Sequence, residues 1–209
     1  MKKLLLVPAM FILAFGVFIF NEAPLLQRSD RTPGNIPNTP DEKEIQQTIE
    51  RAYELEEIAA RTFNTTEFAE VFINDPRGGK LDDSTLRFIE EVYGTDLTSA
   101  GYPDYKIAYY KWWASGARKI EALQSKAQAE GRPLSPEELS SLIDSSGRIA
   151  MPRAQGPIQK VNLQFHSISI EGDTAVVIFD DGPRTNRTTL VKVNGRWYIA
   201  GNKILAVHP

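Results

Sequence analysis

The chain has 209 residues, with 24 basic against 27 acidic side chains and a net charge of −3. That balance leaves no electrostatic footprint for nucleic acid. The absence of cysteine excludes disulfides, thiolate catalysis, thiolate metal sites and a lipidated cysteine. The charge is unevenly spread: residues 41–98 hold 6 basic and 15 acidic groups, whereas residues 99–209 hold 14 and 10. This pattern reads as an acidic helical face beside a mildly basic sheet.

Met1, Lys2 and Lys3 form a positive start, and Leu4 to Phe20 then runs without a charge. As a helix this run would be roughly 26 Å long, close to the hydrocarbon thickness of a bilayer. The segment after it, with Asn21 three residues before a break at Ala23-Pro24, is a poor cleavage site. Residues 1–20 are therefore expected to be a transmembrane anchor. The lysines place the N-terminus inside and the rest of the chain on the extracytoplasmic side. The alternative is a signal segment whose removal yields a secreted form. Residues 21–39, with Pro24, Pro33, Gly34 and Pro37, read as a linker to a soluble domain over 40–209.

Thr39-Pro40-Asp41-Glu42 has the pattern of a capping box. It starts a helix expected to run to Phe63, with Ile45, Ile49, Ala52, Ala59 and Phe63 on one stripe. A short helix from Glu67 to Ile73 follows, then a loop over residues 74–79. Asp82 or Asp83 caps a further helix ending at Tyr93-Gly94. The longest helical pattern is Tyr102 to Glu130. Ser135-Pro136-Glu137-Glu138 is a second capping box and predicts a helix to Ile143.

Strand patterning begins at Gln159. Val161, Leu163 and Phe165 alternate with polar residues, and the parity then slips to Ile168 and Ile170, which predicts a bulge near His166-Ser167. Ala175 to Phe179 is apolar at every position, as in a strand covered on both faces. Asp180 to Asn186 reads as a polar hairpin loop. Asn194-Gly195, between the runs Thr188–Val193 and Arg196–Ala200, is a strong hairpin signal. Lys203–Val207 is expected to complete the sheet edge. The fold class is α+β: several helices, then a curved antiparallel sheet of four or five strands packed on a long helix.

The closing segment Leu190-Val191-Lys192-Val193-Asn194-Gly195-Arg196-Trp197-Tyr198-Ile199 resembles the end of nuclear-transport-factor-2-like proteins, and the resemblance covers residues 159–205. It implies a sheet wrapped around a long helix to form a cone with a pocket. Members of that superfamily include isomerases, epoxide hydrolases and non-catalytic binding domains. The helical half, Leu81 to Ile143, carries no clear early strand, and no catalytic dyad of the enzymatic members maps onto this sequence.

The start of the long helix is crowded with aromatics, which either fill a core or line a small-molecule site. Tyr105, Tyr109, Trp112 and Trp113, with Trp197 in the sheet, are the candidate ligand- or partner-binding residues. His166, on the polar parity of its strand, is a candidate general base, or else a hydrogen-bonded histidine of the sheet surface. Asp180 and Asp181 offer two carboxylates, too few for a calcium site by themselves. No motif calls for a metal or cofactor. The leading expectation is a tethered, non-enzymatic domain binding a partner protein or an apolar small ligand. Its alternatives are a pocket enzyme using His166 as base and a structural accessory subunit of an envelope complex.

Overall fold

The computed structural model of the chain describes residues 39–94, 97, 99–143 and 161–208. The expected anchor at Leu4–Phe20 and residues 21–38 of the linker lie outside them. Among the described residues, no helix is long and apolar enough to cross a membrane.

Helix α1 spans Pro40–Thr62. Its capping box is formed: the Thr39 hydroxyl accepts from the Glu42 N–H, and the Thr39 N–H donates to the Glu42 carboxylate at 2.9 Å. Ile45, Ile49, Ala52, Leu55 and Ala59 recur every three or four residues, and all are buried. Phe63 is not the last helical residue. It is the left-handed cap at φ 57°, and its amide donates to the Ala59 carbonyl. The short helix expected next is a 3-10 turn over Thr66–Glu70, and a second such turn covers Pro76–Gly78. Helix α2 (Asp83–Tyr93) begins at the Asp82 cap, and α3 spans Tyr102–Ala129. Helix α4 is only Pro136–Ser140, shorter than the pattern suggested, with its Ser135–Glu138 capping box intact.

The sheet is a four-stranded antiparallel meander in the order β1-β2-β3-β4. Its strands are β1 (Gln164–Glu171), β2 (Thr174–Asp180), β3 (Arg184–Val193) and β4 (Arg196–Val207). β1 starts later than the alternation implied. Gln164 already pairs with Asp180, the last residue of β2, so Val161 has no strand opposite it and stays exposed. The register slips between Phe165 and Ser167, which makes His166 the bulged residue foreseen by the parity change. β2 is not fully covered on both faces: Ala175, Val177 and Phe179 are buried, whereas Val176 and Ile178 are half-buried. Lys203–Val207 is no separate strand but the end of β4. That strand carries two more slips, opposite Thr189/Leu190 and Thr185/Asn186. Each bulge bends its strand.

The largest difference lies before β3. Residues 184–186, expected in a loop, belong to the strand. The Asp181 N–H donates to the Arg184 carbonyl, and the Asp181 carboxylate accepts from the Arg184 N–H. With Gly182 at φ 96°, this closes a short turn and puts Asn186 on the sheet.

The core lies between the inner sheet face and α1. Phe165, Val177, Phe179, Leu190 and Trp197 meet the α1 stripe, with Phe68, Val71 and Phe72 closing one end. Val71 and Ile73 bond to Ile199, which extends the β4 edge with a short parallel bridge. The turn at Gly78 packs on β4 with no room for side chains. A Cβ on Gly78 would sit 2.1 Å from the Ala200 carbonyl oxygen, and one on Gly201 would sit 2.0 Å from that of Gly78. A smaller cluster, Phe88, Ile89 and Ala108, joins α2 to α3.

Candidate functional site

The aromatic helix divides its rings between these two clusters. At about 100° per residue, Tyr110 and Trp113 turn to the main core, while Tyr105 and Trp112 turn to Phe88 of α2. Tyr109 stands between, in ring contact with Tyr110, Trp112 and Trp113.

The main core is not filled where α3 crosses the sheet. A cavity of about 270 Å³ remains between α1, α3 and the inner face of β2–β4. Ile49, Ala52, Tyr53 and Glu56 form one wall, a single face of α1 by their spacing. The second wall is the corresponding face of α3, from Tyr102 through Tyr105, Lys106 and Tyr109 to Trp113. Arg184, Asn186, Thr188 and Asn202 line the sheet wall, beside Phe179 and Ile199. Most of the lining left accessible is polar.

The Lys106 ammonium lies 2.8 Å from the Glu56 carboxylate and 5.3 Å from the centre of the Tyr102 ring. Burial is the largest single influence on this lysine and lowers its pKa. The charge of Glu56, the neighbouring Tyr102 and Tyr110 and the hydrogen bond to Glu56 together outweigh it and hold the pKa well above the ordinary 10.5. Lys106 is therefore a hydrogen-bond donor, not an amine nucleophile. Burial pushes the Tyr102 hydroxyl up to about 12, against the opposing charge of Lys106. The Tyr53 hydroxyl is raised further, by burial and by the Asp181 carboxylate to which it donates at 2.8 Å. Both phenols stay protonated.

At the other end of the cavity Arg184 is paired with Asp181 at 2.6 Å. Burial would raise the Asp181 carboxyl, but the hydrogen bonds from Arg184 and Tyr53 hold it below its ordinary 3.8. On the sheet wall the Thr188 hydroxyl donates to Asn202 at 2.6 Å, and the Asn202 amide donates to Asn186 Oδ1 at 3.3 Å. Asn186, 1% exposed, is left with its Nδ2 near Asp181 but in no well-aligned hydrogen bond.

Of the residues singled out from the sequence, Tyr105, Tyr109 and Trp113 line the cavity. Trp112 is not in the lining; it packs edge-on against Phe88 at 6.0 Å. Trp197 is fully buried in the sheet core, with Lys192 5.5 Å from its ring centre. His166 is exposed, away from the lining, and meets Asp180 at 2.9 Å. His208 approaches the same carboxylate at 3.9 Å and Thr185 Oγ1 at 2.8 Å. The two carboxylates considered as a cation pair are thus committed to different partners. Among the described residues, no group of three or more His, Asp or Glu side chains could hold a metal ion.

Glu56, Lys106, Arg184, Asn186, Thr188 and Asn202 do not stand out in the sequence as site residues. One signal was available: Asn186 and Thr188 share the parity of buried Leu190, so polar residues stood at inward positions of a strand. The comparisons add no relative: no family model, no curated protein and no solved structure matches the chain.

Proposed function

We propose that the protein is a non-enzymatic binding module, tethered through Leu4–Phe20, whose extracytoplasmic domain takes a small molecule into the cavity between α1, α3 and the sheet. The observation that carries this reading is the cavity itself, walled by tyrosines on one side and by hydrogen-bonding side chains on the other. A meander with a Gly turn and a Trp strand, packed over a long helix, also fits the resemblance to the nuclear-transport-factor-2-like superfamily. In that reading the cavity is the pocket of the cone. The ligand is amphipathic rather than apolar, because the accessible lining is mostly polar.

The enzyme reading relied on His166 as a base within the pocket. It loses support because His166 and Asp180 meet away from the lining, and Lys106 is held as a cation. A protein-partner reading is favoured by one feature, the exposed Ile204, Leu205 and Val207 at the end of β4.

A thermal-shift screen of small polar and aromatic compounds on the full chain separates these readings. Stabilising compounds that lose their effect in Tyr105→Ala and Lys106→Met support the cavity. Stabilisation unaffected by those variants, but lost in Ile204→Asp, would transfer the function to the β4 end.

A further inference from the structure

Resting on the reading of the cavity as the binding site, we infer that its ligand is one neutral, hydroxyl-bearing ring of the size of a single sugar unit. The ring face lies against the α3 tyrosines. Its hydroxyls are shared between the Lys106–Glu56 pair and the Asn186–Thr188–Asn202 row.

Volume sets the size. A cavity of about 270 Å³ lies just below the range of those that take drug-sized ligands, and one substituted six-membered ring fits it.

Charge sets the neutrality. The charged side chains in the lining are Glu56, Lys106 and Arg184. Lys106 is neutralised by Glu56 at 2.8 Å, and Arg184 by Asp181 just behind the wall at 2.6 Å. A carboxylate, phosphate or ammonium group entering this space would meet no uncompensated partner. It would have to break a standing pair, and a charge left unpaired in a desolvated site is costly.

Hydrogen-bonding chemistry sets the hydroxyls. An apolar ring would cover a mostly polar accessible lining without offering it a hydrogen-bond partner. A ligand with only acceptors would leave the Glu56 carboxylate without a donor beyond Lys106. A hydroxyl both donates and accepts. Vicinal hydroxyls can therefore span an ammonium and a carboxylate held side by side, and an amide row on the facing wall. The apolar C–H face of such a ring packs on Tyr105 and Tyr109, whose rings are 6.5 Å apart and tilted by 43°.

The test is a titration of the full chain in a detergent with no sugar headgroup, followed by calorimetry and saturation-transfer NMR. The probes are glucose, galactose and N-acetylglucosamine as neutral rings, glucuronate and glucosamine as charged counterparts, and indole as the apolar ring. At least one neutral ring should bind at least about ten-fold more tightly than its charged counterparts and indole. Asn186→Asp and Tyr105→Ala, each checked for a native melting curve, should each weaken it at least about ten-fold. Preference for glucuronate, glucosamine or indole, with the same dependence on Asn186 and Tyr105, overturns the ligand class and keeps the cavity as binding site. Binding indifferent to both variants, or no binding of any probe at millimolar concentration, overturns both.

Discussion

Asp180 and Asp181 are adjacent in the chain and serve opposite sides of it. Asp180 continues the outward parity of β2 and holds Thr185 and His166, whereas Asp181 turns inward to Tyr53 and Arg184. Both carboxyls lie below their ordinary 3.8 despite burial, which alone would raise them. A carboxyl whose folded value is depressed contributes stability above its unfolded value, and that contribution is lost as pH falls through the folded value. Unfolding curves between pH 7 and pH 2 should therefore show stability declining below about pH 4. Asp181→Asn should lower stability at pH 7 by about 1–3 kcal/mol, tempered by the partial exposure of Arg184, and flatten the acid decline. An equally steep decline in the variant would mean that Asp181 does not contribute to the acid sensitivity. Gly195 gives a second prediction at this scale. Asn194 at φ 52° and Gly195 at φ 80° both take the positive φ that a type I′ hairpin turn requires. Gly195→Val should cost about 1–2 kcal/mol, read from the denaturation midpoint.

Among the elements, β4 and the turn at Gly78 are the least tolerant junction. Backbone touches backbone there, and neither chain can retreat without breaking the Ile199 bridge. Gly201→Ala should destabilise the domain by at least about 2 kcal/mol, whereas Gly172→Asn, in an open turn at φ 58°, should be nearly neutral. The tryptophans of α3 differ in the same way. Trp113 is packed between Phe63, Tyr109 and Tyr110, and Trp113→Ala should cost about 3–5 kcal/mol in chemical denaturation. Trp112, only partly buried, should cost less. The capping boxes, the helix starts, the Asn194-Gly195 hairpin and the bulge at His166 were legible because each is a local signal within a few residues. The polar side of the cavity was not. Glu56 and Lys106 look like ordinary solvated positions until α1 and α3, which are not consecutive in the chain, face each other. Asn202 reaches the inner face only through the slip of β4 at Ala200, which no alternation in that strand announces.

For the whole molecule, the space that the core leaves open is where the proposed binding takes place. Tyr105 and Tyr109 were legible as candidates because aromatic crowding exceeds what one buried face can hold. The row that faces them needed tertiary structure. The proposed anchor rests on the sequence of Leu4–Phe20 alone, and it predicts that the full-length protein stays with the membrane fraction through carbonate washing. A soluble mature form beginning near Ala23 would replace it with the secreted alternative. The most direct measurement of the central claim is the map of amide and side-chain chemical shifts on the full chain as small ring compounds are titrated in. Perturbations should gather at Glu56, Lys106, Tyr105, Asn186 and Asn202, with His166 and Ile204 unmoved. Perturbations gathered instead at His166 and Asp180, or along Ile204–Val207, would contradict it.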